Sequence, residues 1–221
     1  MQPVSVFQVR KQYEGGVQAL GGVSFEVRPG ELVALLGPSG CGKSTLLNLI
    51  GCIDLPDEGE VRIDGVATRS LSDDELTVLR RDRIGTIFQF FNLLPTLTIG
   101  ENVALPLRLQ GRRGNGIAAN VHEALLAVGI AERAGSLPHE VSGGQLQRAA
   151  IARAIVHEPA IVLADEPTGN LDSHNGEIVL DLLRKLAGRG QAILMATHSA
   201  EAAARADRRI HLRDGCIESI E

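Results

Sequence analysis

Tryptophan is absent from the 221 residues, tyrosine occurs once, and aromatic residues make up only 3%. A core must therefore be aliphatic, and a hydrophobic fraction of 44% supplies it from Leu, Ile, Val and Ala. Cysteine is scarce: Cys41, Cys52 and Cys216 stand at unrelated spacings. That excludes a disulfide framework and a metal-ligand pattern and fits a reducing compartment. No apolar run approaches the roughly 18 residues of a membrane span. The opening MQPVSVFQVRKQYEGG lacks the apolar stretch of a signal peptide. The expectation is a cytosolic protein, or one that sits on a membrane through a partner. Excess positive charge is also missing, since the net charge is -5. Electrostatic binding to nucleic acid is thereby disfavoured. The clusters Arg80, Arg81, Arg83 and Arg112, Arg113 read as solvated helix faces. There is no repeat, low-complexity tract or flexible linker.

What is present alternates between buried-strand and helix patterns. ELVALLG (31–37), IGTIF (84–88), AIVLAD (160–165) and QAILMATH (191–198) are short apolar runs, as strands buried on both faces of a parallel sheet require. Helices are expected from Lys43 to Gly51, from a Ser72/Glu75 capping box to Arg83, and after a Thr98/Glu101 capping box. Further helices are expected over 118–129, from Ser142 to before Pro159, and over 177–188. VRI (61–63) before Asp64-Gly65 reads as a strand and turn, and residues around Asp214-Gly215 as a closing hairpin. Strands alternating with helices define an α/β fold, with a helical block inserted between strands.

Two stretches carry phosphate chemistry. GPSGCGKST (37–45) follows a strand and opens a helix, the context of a phosphate loop. Gly37, Gly40 and Gly42 let the backbone curl so that successive N–H groups face inward, with Pro38, Ser39 and Cys41 supplying backbone between them. The helix N-terminus adds partial positive charge. Lys43 can bridge β- and γ-phosphates, Ser44 can bind Mg²⁺, and Thr45 adds an α-phosphate contact. The bland alternative, a Gly-rich turn with a buried lysine, does not require this strand-loop-helix order. At the end of AIVLAD, Asp165 reads as a Mg²⁺ carboxylate. The next residue, Glu166, reads as the group that orients or deprotonates an attacking water. A strand-end acid pair facing solvent would be the default without the loop. A second anion-holding helix start, VSGGQLQR (141–148), raises the question of whose phosphate it serves.

In order along the chain, these motifs resemble the ATP-binding subunits of ABC transporters. The resemblance spans nearly all 221 residues. Gln89 matches the Q-loop. VSGGQLQR matches the LSGGQ signature, with Val141 in place of Leu and with Ser142, Gly143, Gly144 and Gln145 as nucleotide-contacting residues. NLD (170–172) matches the D-loop, and His198 the switch histidine. The resemblance implies a P-loop NTPase (RecA-like) core with a parallel sheet, an N-terminal antiparallel β subdomain and an inserted α-helical subdomain. It implies one domain over 1–221, with the helical signature subdomain at 89–158 between 1–88 and 159–221. It further implies ATP and Mg²⁺ as cofactors, the metal held by Ser44, Gln89 and Asp165. Glu166, His198 and Gln89 are the implied catalytic residues. Tyr13 stacks on adenine and Asp172 couples two sites, while Tyr13 on sequence alone could equally be a packed strand-end ring.

The same resemblance implies a head-to-tail dimer with a second copy or a paralogue. The signature of one chain then caps the γ-phosphate in the cradle of the other. An integral membrane permease is the further partner, which places the chain peripherally on the cytoplasmic face of the inner membrane. FNLLPTLTIGENVALPL and LADEPTGNLDS look like the lipoprotein-release and macrolide-export branch, and peptide-resistance subunits look similar. THSAEAA departs from the commoner THD, which weakens a branch assignment. The competing reading is a soluble ABC-type ATPase acting on DNA or ribosomes. Neither a long coiled coil nor a second ATP domain is present to favour it, and the acidic charge opposes it. A non-hydrolysing scaffold is disfavoured by Glu166 and His198. The permease contact is expected at Phe90, Phe91 and Leu93–Leu97, although some of these residues would fill the subdomain's own core.

Overall fold

Residues 4–27 form a hairpin of β1 (Val4–Tyr13) and β2 (Val17–Val27). In β1, Val4, Val6 and Val9 are buried, and the register shifts between Val6 and Val9, where Gln8 has φ 48°. This bulge breaks the two-residue period and hides the strand from pattern reading. The hairpin continues through β4 (Glu58–Ile63) and β5 (Val66–Ala67) into an antiparallel sheet of order β2-β1-β4-β5. The structure is a computed structural model and describes residues 2–221.

The second sheet holds the four expected apolar runs as β3 (Leu32–Leu36), β6 (Ile84–Ile87), β7 (Ile161–Asp165) and β8 (Ala192–Ala196). With β9 (Arg208–Arg213) and β10 (Cys216–Ile220) the order is β10-β9-β3-β8-β7-β6, parallel except at β10. Alternate residues feed two cores. Val33 and Leu35 of β3 join the layer between the sheets, while Leu32 and Ala34 join the helical side. Burial on both faces is why these strands read as continuous apolar runs.

The layer between the sheets holds α1 (Lys43–Ile50) and the inner face of α2 (Asp73–Arg83). On the other side lie α3 (Ile99–Leu109), α4 (Asn115–Ala127) and α5 (Gly143–Ile155), all inserted between β6 and β7, with α6 (Ser173–Gly188) beside them. The capping boxes at Ser72, Thr98 and Ser142 are all formed. Two helices start earlier than the sequence patterns indicate. α4 begins at Asn115, taking in Gly116, and α6 begins at Ser173 because Asp172 caps it, accepting from Asn175 N at 2.9 Å. The short α7 (Ala200–Ala204), capped by Ser199, has too few residues to show a helical period in the sequence. Among the described residues, no helix is long and apolar enough to cross a membrane.

Candidate active site

The phosphate loop leaves the carboxyl end of β3, Asp165 ends β7, and His198 follows β8. Three neighbouring parallel strands thus deliver their chemistry to one sheet edge, where ligands bind in such folds. The loop can curl because glycine stands at the two positions where a Cβ would strike backbone. A methyl on Gly37 would lie 2.2 Å from Leu212 O, and one on Gly42 2.5 Å from Ala19 O. Gly42 (φ 107°) is also the N-cap of α1 and offers no side-chain cap, so the first-turn N–H groups stay available to an anion. Lys43 Nζ donates to Gly37 O at 2.6 Å and Pro38 O at 3.0 Å, which holds the ammonium against the loop. Cys41 is buried in the inter-sheet core.

A cleft of about 530 Å³ is lined by Ser39, Gly40, Gly42, Lys43, Ser44, Thr45, Gln89, Asp165, Glu166 and His198. Val17, Gln18 and Ala19 of β2 complete it; they are outer residues of an irregular strand and carried no motif signal. Asp165 is half-buried. Burial, then the adjacent Glu166 charge, pushes its pKa up, and Lys43 opposes this. The Asp165 carboxyl, with the Ser44 hydroxyl and Gln89 amide on the same wall, is a hard oxygen donor set suited to Mg²⁺. Among the described residues, no group of three His, Cys, Asp or Glu could hold a metal by itself. Mg²⁺ sites of the type that keeps water and phosphate oxygens do not need one.

Glu166 leaves the extended path of β7. Its φ is 46°, a left-handed conformation that costs a non-glycine residue about 1–2 kcal/mol. Two hydrogen bonds hold the turn: Glu166 N donates to Ala196 O at 2.9 Å, and Gly169 N donates to Glu166 O at 3.0 Å. The turn carries the carboxylate to the end of β8. There His198 Nδ1 lies 2.7 Å from Oε1, and Thr197 Oγ1 donates to Oε2 at 3.2 Å. With Nδ1–H donated to a carboxylate, Nε2 is the free nitrogen of an exposed ring. Thr197, fully buried, was missed, although it adjoins His198 in MATHS.

The remaining predicted residues lie apart. Tyr13 ends β1 opposite Val17 and does not line the cleft itself. Asp172 faces a smaller cavity of about 210 Å³ that shares Glu166 and His198 with the cleft. Ser142, Gly143, Gly144 and Gln145 do not line the cleft of their own chain. In the α5 capping box, Ser142 Oγ accepts from Gln145 N at 3.4 Å and Gln145 Oε1 accepts from Ser142 N at 3.0 Å. The Ser142 hydroxyl proton remains free to donate. The two glycines have different reasons to be there. Gly143 is exposed, and a methyl would meet only Phe91 Cζ at 3.8 Å. Gly144 is buried, and a methyl would lie 2.0 Å from Asn175 Oδ1. Asn175 is itself fastened to Asp172 through N and Nδ2, at 2.9 and 2.7 Å. Gly144 is thus demanded by packing of α5 on α6 within one chain. Two further bonds tie the helical insert to the turn after Glu166: Gln147 Nε2 to Pro167 O at 2.7 Å and Asn170 Nδ2 to Gln89 O at 2.8 Å.

Away from this chemistry, an apolar groove of about 570 Å³ opens between α2, α3 and α5, with Phe88, Pro106 and Leu109 in its lining and Arg153 and His157 in its wall. It lies beside the segment 90–97 named from the sequence as a contact. Leu93 packs into the helical-side core, and Phe90 (69% exposed) and Leu94 (48%) lie outside the groove.

A parallel sheet whose edge joins a phosphate loop, an acidic strand end and a Glu–His pair, with a signature helix inserted between β6 and β7, defines an ATP-hydrolysing cassette. The family model for ABC transporters matches residues 20–169, and the chain belongs to that family as an ATP-binding, ATP-hydrolysing member. It is 46% identical to the uncharacterized ABC transporter ATP-binding protein MJ0796 of Methanocaldococcus jannaschii over 226 residues, covering 99% of this chain and 96% of that protein. A dimeric post-hydrolysis structure of MJ0796 bound to ADP and Pi matches with a TM-score of 0.88 at 45% identity, covering 99% and 97%. The macrolide export ATP-binding/permease protein MacB of Bdellovibrio bacteriovorus is 44% identical over 222 residues. Those residues are 99% of this chain but only 34% of that longer protein. cbiO1 of Clostridium perfringens, part of the ABC transporter complex cbiONQ, matches with a TM-score of 0.91 at 28% identity, covering 99% and 88%.

Proposed function

We propose that this chain is the force-generating subunit of a membrane complex for lipoprotein release or for macrolide or peptide export, working peripherally on the cytoplasmic face of the membrane. The observation that carries the enzymatic part is the Glu166–His198 pair opening onto the cleft of Lys43. Phosphates of ATP bind the loop amides, Lys43 and Thr45. Mg²⁺, when bound, neutralises charge on the phosphates, and Ser44, Gln89 and Asp165 hold it. Gln89 and Glu166 orient a water, Glu166 accepts its proton as oxygen attacks the γ-phosphorus, and the bond to the β–γ bridging oxygen breaks. His198 contacts the γ-phosphate. Lys43→Ala should lose most of its ATP affinity, read by calorimetric titration; unchanged affinity would show the cradle to be misassigned.

The second half of the proposal is assembly. The exposed Ser142–Gly143 start of α5, with a free hydroxyl proton and uncapped N–H groups, clasps the γ-phosphate held by a second copy or a paralogue, with Asp172 and Gln145 at the junction. The dimeric structure of MJ0796 supports this arrangement. Residues 89–158 serve as one signature unit on the core formed by 1–88 and 159–221. The groove beside Phe88, Pro106 and Leu109 receives a cytoplasmic segment of the permease, a reading that MacB's fusion of the two functions supports. Leu109 is 68% exposed on this groove. Leu109→Asp should block co-purification with the membrane permease partner while leaving nucleotide binding intact. Undiminished co-purification refutes the groove assignment.

A further inference from the structure

Tyr13, the only tyrosine, ends β1 opposite Val17, a lining residue of the cleft. Its surroundings are more organised than a surface ring needs. The phenol Oη donates to Asp54 Oδ2 at 3.2 Å. The other oxygen of that carboxylate accepts from Lys11 Nζ at 2.8 Å and from Leu55 N at 2.7 Å. Lys11 Nζ also donates to Leu55 O at 2.8 Å, lies 3.5 Å from Asp57 Oδ1, and stands 5.4 Å from the Tyr13 ring centroid. One face of the ring is therefore taken by a cation and its hydroxyl is held by a carboxylate. The ring remains 41% exposed for another planar group.

Asp54 links this ring to the phosphate cradle. It sits in the loop leaving α1, where Ile53 N and Asp54 N both donate to Asn48 O, at 2.9 and 3.4 Å. The same helix begins at Lys43. One short helix thus carries the cradle at its start and the tether of the ring at its end. The tether stays ionised. Burial opposes charge on both partners, but their hydrogen bond and attraction outweigh it, so Lys11 titrates above and Asp54 below its ordinary range.

We propose that Asp54, steadied by Lys11, is a positioning residue for the nucleotide base: it fixes the plane of the Tyr13 ring and its distance from the phosphate cradle. The inference rests on the reading of Tyr13 as the base-stacking ring. The plainer alternative is that the network only fastens β1 to the α1 loop. Base positioning acts on ligands that carry a base, whereas support of the cradle acts on any polyphosphate.

The test is calorimetric titration of the full chain with two probes, ADP and inorganic tripolyphosphate. Asp54→Asn keeps the shape and removes the charge. Tyr13→Phe removes one oxygen and keeps the ring, a change that folding tolerates. Each should weaken ADP binding about three- to tenfold, the net effect of losing one hydrogen bond, and shift tripolyphosphate by less than about twofold. Tyr13→Leu should weaken ADP further. In steady state, Asp54→Asn should raise KM for ATP with kcat unchanged. Equal weakening of both probes makes Asp54 a support of the cradle and overturns the inference. Weakening in Tyr13→Leu but in neither Asp54→Asn nor Tyr13→Phe overturns it while sparing the stacking role. Unchanged ADP affinity in Tyr13→Leu removes both together.

Discussion

Glu166→Gln should bind ATP at least as tightly as the native chain, hydrolyse it about 10²–10⁴ times more slowly, and accumulate as a dimer. Each part follows from the surroundings of the side chain. The carboxylate accepts from His198 Nδ1 and Thr197 Oγ1, so it is aimed by two donors and free to take a proton. An amide fills the same space but cannot act as a base, and its NH₂ end must face one of those donors. Affinity should not suffer, because Glu166 and Asp165 place two acids beside an incoming polyanion, and part of the upward push on Asp165 comes from Glu166 itself. Removing one charge relieves both repulsions. With binding intact and hydrolysis stopped, the nucleotide that joins two chains is not consumed, and association follows by mass action. Single-turnover hydrolysis and light scattering at saturating ATP-Mg²⁺ give the answer. Native-rate turnover, or a monomer under those conditions, contradicts the roles given to this residue.

Parts of this site were legible in the sequence for reasons that lie in local chemistry. The phosphate loop can be read because only glycine fits against Leu212 O and Ala19 O, and because the lysine must follow directly. Ser142 could be read as a helix start because its capping box with Gln145 is completed within four residues. Four of the five parallel strands, β3, β6, β7 and β8, were legible because burial on both faces leaves no polar alternation to confuse. What stayed hidden depends on contacts distant in the chain. The β1–β2 hairpin is bulged, so its period is lost. Glu166 turns away from the strand direction through a positive φ that nothing in IVLADE announces. The tether of Tyr13 spans 41 residues to Asp54, and Gly144 owes its identity to Asn175, 31 residues further on. Among the apolar residues after Gln89, hydrophobicity alone does not tell Leu93, which packs on the helical-side core, from Phe90 and Leu94, which stay exposed.

The largest effect belongs to a mixing experiment. Lys43→Ala alone and Gly143→Asp alone should each be almost inactive, yet an equal mixture should recover up to roughly a quarter of native ATP turnover. Gly143→Asp suits the purpose because the position is open, with Phe91 Cζ as the only neighbour at 3.8 Å. An acid in the first turn of α5 also favours the helix dipole, so thermal stability should hold or rise. What it disturbs is the approach of a phosphate to that helix start. In a head-to-tail pair, one site combines the damaged cradle with the damaged signature, and the other combines the intact cradle with the intact signature. Half of randomly formed pairs are mixed and each holds one sound site of two, which sets the quarter for independent sites. If each chain instead served its own cradle with its own signature, every site in every pairing would carry one defect. The mixture would then be as inactive as its components, and that result would defeat the composite arrangement while leaving the fold and the cradle untouched.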